Sequence, residues 1–189
     1  LHAGGGDGVD ERPLERDEWE TFKTIRFEAL RTNPDVFSGR IEDEEKRTES
    51  DWRDWVHSDR TRCFVLLDGK QVIGCTGIVT DKTDQSGKTA LLVASFIRPA
   101  YRGLGLSGLL YRARIDYVTD HPQWDRIVVS HRAGNEASRR ANQHHGFVYT
   151  HTKQTTWPDG TTGDDLCYEL DVRALRRKKD ATLTTPAPK

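Results

Sequence analysis

A glycine-bearing turn between an apolar run and a helical pattern carries the clearest chemical signal in this chain. The run Leu91–Phe96 predicts a buried strand, and Gly103 and Gly105 lie in the turn that follows it. Apolar residues spaced for one helix face come next, at Leu106, Leu109, Leu110, Ala113 and Tyr117. This order directs free backbone N–H groups and the positive end of a helix dipole at one point. Because glycine has no Cβ, a ligand can approach the backbone closely, and we expect an anion such as phosphate or pyrophosphate.

Two common phosphate-binding patterns do not explain this turn. Gly103, Gly105 and Gly108 have the Gly-x-Gly-x-x-Gly spacing of a dinucleotide site, but such a site belongs to a βα unit. Here the strand lies in the middle of the chain, and a predicted hairpin precedes it. No Gly-Lys-Ser/Thr follows the glycines, which excludes a Walker-type nucleotide loop.

The turn instead resembles the acetyl-CoA signature of the GNAT superfamily of N-acetyltransferases. That signature is Arg/Gln-x-x-Gly-x-Gly/Ala, preceded by an apolar residue, any residue and proline. The chain has Ile97-Arg98-Pro99, followed by Arg102-Gly103-Leu104-Gly105-Leu106-Ser107. Ser107 stands where the family has a final Gly or Ala. Since serine is small and keeps its backbone N–H, we expect the phosphate cradle to be retained.

A second block strengthens the resemblance. Ile127–Ser130 predicts a strand, Asn135 can open the helix after it, and Gly146-Phe147 follow at the distance that the family's second motif has. Asn135 also suits an ordinary helix N-cap and Gly146 a helix end, so each has a structural explanation as well. The resemblance covers residues 12–172 and is specific only over residues 91–147.

Hydrophobic periodicity and turn residues predict the elements that position both motifs. Helices are expected at Asp17–Leu30, within Glu42–His57, at Arg102–Thr119 and at Asn135–His145. Strands are expected at Arg62–Leu67, Gln71–Thr80, Lys88–Ile97, Arg126–Ser130, Phe147–Thr156 and Asp164–Asp171. Periodicity alone supports a mixed α/β domain.

The resemblance implies a more specific fold and domain organisation. It implies the α/β GNAT fold: a mixed, mostly antiparallel central sheet of six to seven strands, flanked by helices, with a splay between the two central motif strands. Residues 1–11 would be a disordered lead-in and residues 12–172 the acetyltransferase domain. Residues 173–189 would form a tail that is first basic and then rich in Thr and Pro, with disorder expected from Ala181 onward.

Composition excludes several classes of protein. Lys and Arg total 29 against 30 Asp and Glu, for a net charge of -1, so nucleic acid and membrane are not expected partners. No apolar run reaches the ~20 residues of a membrane helix, and the first residues do not resemble a signal peptide. Cys63, Cys75 and Cys167 are expected to be reduced core thiols, and the seven histidines do not cluster for a metal. These features predict a cytoplasmic protein without a metal.

The resemblance also implies the reaction and the donor site. It implies transfer of an acetyl group from acetyl-CoA to a primary amine by direct attack in a ternary complex. The amine would belong to a small molecule or a protein. A homodimer is one assembly consistent with the resemblance. The backbone N–H of Phe96 would face the thioester oxyanion. The residues implied to bind acetyl-CoA are Phe96, Ile97, Arg98, Arg102, Gly103, Leu104, Gly105, Leu106, Ser107, Gly108, Asn135 and Asn142.

The acid and the base are less clear from the sequence. The family often has a tyrosine seven residues after the motif Asn, as the acid for the leaving thiolate, but this chain has Asn142 there. Tyr149, Ser138 or solvent could replace it, and a CoA thiolate is stable enough to need no acid. For the base, Glu44 is the candidate taken from the acidic run of residues 42–45, with His131 as another.

The sequence also leaves an alternative function open. Because Asn142 cannot titrate, the alternative is a non-catalytic acyl-CoA-binding or sensing domain of the same fold. A domain that only binds other proteins would leave the paired motifs unexplained.

Overall fold

In the computed structural model, which describes residues 8–184, the chain forms six helices and eight strands. The helices are α1 (Trp19–Thr32), α2 (Ile41–Glu44), α3 (Glu49–Val56), α4 (Ser107–Thr119), α5 (Glu136–His144) and α6 (Val172–Thr184). The strands are β1 (Val9–Pro13), β2 (His57–Ser58), β3 (Thr61–Asp68), β4 (Gln71–Thr80), β5 (Thr89–Ile97), β6 (Arg126–Arg132), β7 (Val148–Thr156) and β8 (Thr162–Asp171). Short 3₁₀ turns lie at Arg16–Glu18 and Pro99–Tyr101.

All the strands belong to one mixed sheet, as predicted. Its order is β1-β3-β4-β5-β6-β8-β7, and the two-residue β2 pairs with β3 outside that path. Every neighbouring pair is antiparallel except β5 and β6, which are parallel. The path of the sheet thus has seven strands, within the expected six to seven, and the two-residue β2 adds an eighth that is too short for sequence periodicity to reveal.

The N-terminal expectation needs a correction. Residues 9–11, placed in the disordered lead-in, belong to β1, which pairs with β3 from Val9 opposite Asp68 to Pro13 opposite Phe64. Pro13 is tolerated there because β1 is an edge strand. Residues 1–7 lie outside the described part of the chain.

The C-terminal tail also differs from the expectation. Residues 172–184 form α6, and only residues 185–189 of the tail lie outside the described residues. Val172 is fully buried. Arg176 donates to the carbonyl oxygens of Val118, Thr119, His121 and Trp124, at 2.7–2.9 Å. Because Arg176 satisfies carbonyl groups at and beyond the end of α4, tertiary contacts order a segment that local composition alone describes as a polar tail.

Helices cover both faces of the sheet. Phe22 of α1 and Trp52 of α3 pack with Cys63 and Val65 on one face. Val118 of α4 packs with Phe64 and Ile78 on the other face, together with the residues around α6. The alternation along β3 follows the two-residue period of a strand. The sheet thus separates two layers of helices, and its one parallel pair, β5 and β6, lies near the middle of the strand order.

The two central strands separate beyond that junction. β5 and β6 pair only from Thr89 opposite Arg126 to Leu91 opposite Val128. β5 then runs on to Ile97, and β6 to Arg132, with no further pairing between them. The predicted splay is confirmed, and it leaves a cleft that opens toward the turn before α4.

Candidate active site

The turn after β5 is open on the side that a ligand would take. Gly103 and Gly105 have φ angles of 77° and 75°, in the left-handed region that favours glycine. A Cβ added at either position would have no atom within 4 Å. Leu104, between them, is 56% exposed. The glycines therefore permit the backbone path of the turn and leave the space above it free.

The start of α4 lies directly behind this turn. Its N-cap residue is Leu106, so no side chain caps the helix, and its first turn has no acidic residue. The N–H groups at such a start have no partner within the helix, and they carry partial positive charge. Arg112 adds a full charge nearby, because a Cβ on Gly108 would lie 3.2 Å from Arg112 Nη1. These features suit an anion, as the spacing of the glycines predicts.

A β-bulge marks the point where β5 borders the cleft. Val93 pairs with Gly77 and Phe96 with Cys75, so that two residues of β5 lie opposite Thr76 alone. One of the two, Ala94, has a φ of 58°, and no other non-glycine residue in the described range has a positive φ. Strained backbone of this kind is concentrated at functional sites.

Ser95, the second bulge residue, is a site feature that sequence reasoning missed. Its side chain is exposed although β5 is a central strand. Its hydroxyl lies 2.8 Å from that of Thr76, which is fully buried. In the sequence, Ser95 is marked only as a polar residue within the apolar run Leu91–Phe96. A single serine of this kind does not indicate a functional site.

The strand register corrects the role expected for the Phe96 N–H. Arg98 donates its backbone N–H to Ile73 on β4 at 2.8 Å. Because N–H groups alternate in direction along an antiparallel strand, Phe96, opposite Cys75, also directs its N–H toward β4. Ile97, between them, directs its N–H away from β4 and toward the cleft.

The two arginines of the predicted donor site are held by protein groups. Arg98 donates two hydrogen bonds to the Glu28 carboxylate of α1, at 2.7 and 2.9 Å. Arg102 donates from Nε to the Ile97 carbonyl at 2.9 Å. Both side chains bond to protein groups at the ends of the turn. The backbone groups of the turn therefore remain available to a ligand. A cavity of about 330 Å³ opens beside Arg98, between α1 and Val72 of β4.

Comparison with known proteins decides which family this geometry belongs to. The sequence matches the acetyltransferase (GNAT) family over residues 17–147, which is more than half of the chain. The chain is a member of the GNAT acetyltransferase family. Because this is a family of acetyltransferases, the chain is an acyltransferase. No curated protein matches the chain in sequence.

Solved structures with the same fold include several GNAT proteins. A GNAT acetyltransferase from Streptococcus pneumoniae is 18% identical and superposes with a TM-score of 0.70, over 86% of this chain and 98% of the other. The yncA protein of Salmonella typhimurium, solved with its cofactor acetyl-CoA, is 16% identical with a TM-score of 0.70, over 88% and 95%. Spermidine N-acetyltransferase from Vibrio cholerae, in complex with CoA and spermine, is 16% identical with a TM-score of 0.68, over 89% and 98%.

In this GNAT protein Asn135, the asparagine of the second motif, is the N-cap residue of α5. The Asn135 side chain accepts a hydrogen bond from the Ser138 backbone N–H at 3.1 Å, which is an N-cap. Asn135 is exposed and Ser138 partly exposed. Both residues lie just beyond the end of β6, on the opposite side of the cleft from the glycine turn.

Asn142 lies deeper than a surface ligand-binding residue would. It is 1% exposed and accepts a hydrogen bond from the Tyr111 hydroxyl at 2.6 Å. Its amide nitrogen is buried and has no hydrogen-bond partner among the described residues. Burial raises the pKa of Tyr111, whose ring stacks on His145 at 4.3 Å. The hydrogen bond joins α4 to α5, so it connects the helices that follow the two diverging strands.

The structure corrects the role expected for Glu44. Glu44 is 5% exposed and receives three hydrogen bonds from Arg26 of α1, at 3.2, 2.9 and 2.6 Å. A carboxylate so enclosed is a structural ion-pair partner, and it cannot reach an acceptor in the cleft. Sequence reasoning could not separate it from its exposed neighbours Glu42, Asp43 and Glu45.

The two other titratable candidates also have protein partners. The Tyr149 hydroxyl lies 2.8 Å from that of Thr152 on β7, and Tyr149 is 50% exposed. His131 is 7% exposed, with its Nε2 3.2 Å from the Tyr168 hydroxyl and its Nδ1 2.9 Å from the Arg132 carbonyl. Both ring nitrogens of this buried histidine therefore have partners within the protein.

The cysteines are free thiols, as predicted. Cys63, Cys75 and Cys167 are buried, and burial raises the pKa of Cys75 to about 12. Such thiols are inert as nucleophiles. Within residues 8–184, no group of His, Cys, Asp and Glu has the arrangement of a metal site, and none of the helices is both long and apolar enough to cross a bilayer.

Proposed function

We propose that this GNAT protein transfers an acetyl group from acetyl-CoA to a primary amine by direct attack within a ternary complex. The observation that carries the proposal is the uncapped start of α4, behind the Gly103–Gly105 turn, at the point where β5 and β6 diverge. A pyrophosphate suits the turn, and an extended pantetheine suits the cleft. The solved complexes of related folds with acetyl-CoA and CoA support this donor.

The donor would lie along the free edge of β5. A pantetheine there can pair with the strand as an added strand does, and the register leaves the Ile97 N–H on that edge. We therefore assign oxyanion stabilisation to the Ile97 N–H and the neighbouring Ala94–Ser95 bulge, in place of Phe96. Losing one such donor typically costs ~3 kcal/mol of activation free energy. From the opposite side, the exposed Asn135 can donate its amide to the same arm.

The acceptor is proposed to be a cationic amine. Exposed carboxylates of Glu42, Asp43 and Glu45 surround α2 and attract positive charge. The spermidine N-acetyltransferase complex with CoA and spermine supports an amine acceptor for this fold. The amine must lose a proton before attack, since its pKa is near ~10. With Glu44 and His131 both engaged, we assign that proton to water in the open cleft.

Two measurements test the proposal in sequence. Isothermal titration with acetyl-CoA should show binding at one site. An assay of free CoA over polyamines, peptides with lysine or free N-termini, and small monoamines should then show turnover with at least one amine. Absence of acetyl-CoA binding contradicts the donor assignment. Binding without turnover across the panel favours the acyl-CoA-binding or sensing alternative.

Assembly, location and domain limits stay predictions. We propose a homodimer in the cytoplasm, with a catalytic domain that extends beyond the expected residues 12–172 to include β1 and α6. Sedimentation of the full chain tests the assembly directly.

A further inference from the structure

Ser95 faces the side of the sheet that α4 covers. Residues two positions apart along a strand share a face, and Ile97 packs with Leu106 at the start of α4. The hydroxyl beside Ser95 leads to the same conclusion, because Thr76 of β4 shares its face with Ile78, which packs in the core on the α4 side. Ser95 is therefore on the side of the glycine turn, where the acetyl donor is proposed to bind.

Ser95 is also open to the cleft. It is an exposed residue of a central strand, because β5 and β6 stop pairing beyond Leu91 and Val128. Two other polar residues on this side of the sheet are closed off, since Thr76 is fully buried and Asn142 is 1% exposed. Of these three residues, Ser95 alone can reach a ligand in the cleft.

The buried Thr76 hydroxyl orients the exposed one. The two hydroxyl oxygens lie 2.8 Å apart, and either can be the donor. Thr76 has a second acceptor in the Val93 carbonyl at 3.4 Å, which is at the long end of hydrogen-bond distances. A buried hydroxyl needs a partner for its proton, and the Ser95 oxygen is the nearer one. With Thr76 donating to Ser95, the proton of Ser95 is free to point into the cleft, and the chain of two hydroxyls polarises it.

The sulfur is the one reacting atom that the proposed function leaves without a partner. The oxyanion is assigned to the Ile97 N–H and the backbone of the bulge, and the proton of the amine is assigned to water. Negative charge also appears on sulfur when the C–S bond breaks. Ser95 precedes Ile97 by two residues on the same face of β5, so its hydroxyl is next to the oxyanion donor and on the donor side of the sheet.

We propose that the Ser95 hydroxyl, held by Thr76, donates a hydrogen bond to the CoA sulfur as the acetyl group leaves it, an inference that rests on the proposed function. The amine nitrogen attacks the thioester carbonyl carbon, and the C–N bond forms. The C–S bond then breaks and its electron pair stays on sulfur, while the surplus proton of the amine goes to water. Ser95 keeps its own proton, so it stabilises a thiolate and need not titrate. Thr76 acts through Ser95 and is a positioning residue.

Binding of CoA and desulfo-CoA across pH tests the contact without turnover. A hydrogen bond to a charged group is worth about tenfold or more in affinity, and a thiol ionises near ~8.5 in water. CoA should therefore bind at least about fivefold more tightly at about pH 9 than at about pH 7. Ser95→Ala should abolish this gain and leave the Kd of desulfo-CoA within about twofold of wild type.

Desulfo-CoA is the control ligand for every other titration. Because it lacks only the sulfur, it should show no gain between the two pH values. It meets the same charged and titratable groups of the turn and of the two helices on this side, among them Arg102, Tyr111, Arg112, Arg114, His144 and His145. A difference between the two ligands therefore reports on the sulfur alone.

Turnover of a double variant separates the two hydroxyls. Ser95→Ala should lower kcat at least about tenfold with little change in KM for acetyl-CoA, and Ser95→Thr, which keeps a hydroxyl, should restore most of it. Thr76→Val keeps the shape of the side chain and should lower kcat by a smaller factor. In the Ser95→Ala background, Thr76→Val should cause no further loss, because residues that act through one another are not additive.

Ser130→Ala is the matched control variant. Ser130 is an exposed serine of β6 beyond the last pair with β5, but it faces the other side of the sheet, since its neighbour Val129 packs on the α4 side. Ser130→Ala should keep the gain of CoA over desulfo-CoA.

Two results overturn the proposal. Parallel pH curves for CoA and desulfo-CoA in the wild-type protein do so whether or not the variants fold, and they would assign any loss of kcat in Ser95→Ala to the carbonyl oxygen. A gain that persists undiminished in Ser95→Ala does so as well. If neither ligand binds the wild type, the proposed function itself fails.

Discussion

The Glu44 carboxylate of α2 is held by the Arg26 guanidinium of α1, in a buried ion pair with a closest distance of 2.6 Å. Both side chains are 6% exposed. The pair ties the short α2 to the first helix across the loop that contains Gly39. A Cβ on Gly39 would lie 2.8 Å from Arg26 Nη2, so the loop packs directly on the pair.

Glu44→Gln should therefore destabilise the protein without touching its chemistry. Removing one charge of a buried pair costs about 3–5 kcal/mol, because the other is left uncompensated. Urea unfolding should show this loss, while kcat of the folded enzyme stays within about twofold. Glu49→Gln, at an exposed carboxylate of α3, is the matched control and should leave kcat unchanged and cost less than about 1 kcal/mol. If Glu44→Gln is unfolded, the double variant Arg26→Met/Glu44→Leu replaces both charges; a large loss of its kcat would restore Glu44 as a base.

Gly105→Val should abolish acetyl-CoA binding. At a φ of 75° a β-branched residue is strained by about 1–2 kcal/mol, and its side chain occupies the open space above the turn. Titration calorimetry should show an affinity reduced at least about tenfold. Gly160→Val is the control, because Gly160 has a similar φ of 82° and free surroundings but lies in the β7–β8 turn. Equal losses in both variants would assign the effect to backbone strain.

Tyr149→Phe should leave turnover nearly unchanged. The Tyr149 hydroxyl is bonded to Thr152, and half of the residue is in solvent. Loss of a general acid lowers the rate about 10²–10⁴-fold, whereas we expect kcat within about threefold of wild type. Ser138→Ala should behave in the same way, because the N-cap bond uses its backbone N–H. A hundredfold loss in either variant identifies the missing acid.

Replacing each cysteine by alanine should affect stability alone. Cys63, Cys75 and Cys167 are buried, and losing their packing should cost about 0.5–3 kcal/mol. Turnover per folded molecule should persist, because burial keeps the thiols protonated by raising their pKa. Loss of turnover at normal stability in any of them would point to a covalent acyl-enzyme.

His145 should make the fold sensitive to acid. Burial, followed by the charges of His144, Arg112 and Arg114, lowers the pKa of His145 below its ordinary value. The unfolded chain then binds more protons in that window, so the contribution of His145 is present above about pH 6.5 and is lost as the pH falls through the folded-state pKa. Thermal unfolding at about pH 7.5 and about pH 5.5 should show a larger drop for the wild type than for His145→Phe, which keeps a ring against Tyr111. Equal drops would remove His145 from the acid response.

Local sequence was sufficient to predict the glycine turn. The order of strand, glycine turn and helix over residues 91–117 depends on short-range spacing, and the structure reproduces it with positive φ at Gly103 and Gly105. The splay, given by the family resemblance, is confirmed in the pairing of β5 with β6. Both motifs could be predicted from residues that are close in sequence, because turn geometry and helix starts are local properties.

Tertiary structure alone decided which polar side chains are free. A run of acidic residues does not indicate which one faces the interior, and only the packing of α1 on α2 buried Glu44 against Arg26. The Tyr111–Asn142 hydrogen bond joins residues 31 positions apart, and Arg114 is buried only because the chain folds around α4. Desolvation and long-range contact depend on the whole fold, so the sequence predicted the glycine turn and the structure decided which polar side chains around it are buried or paired.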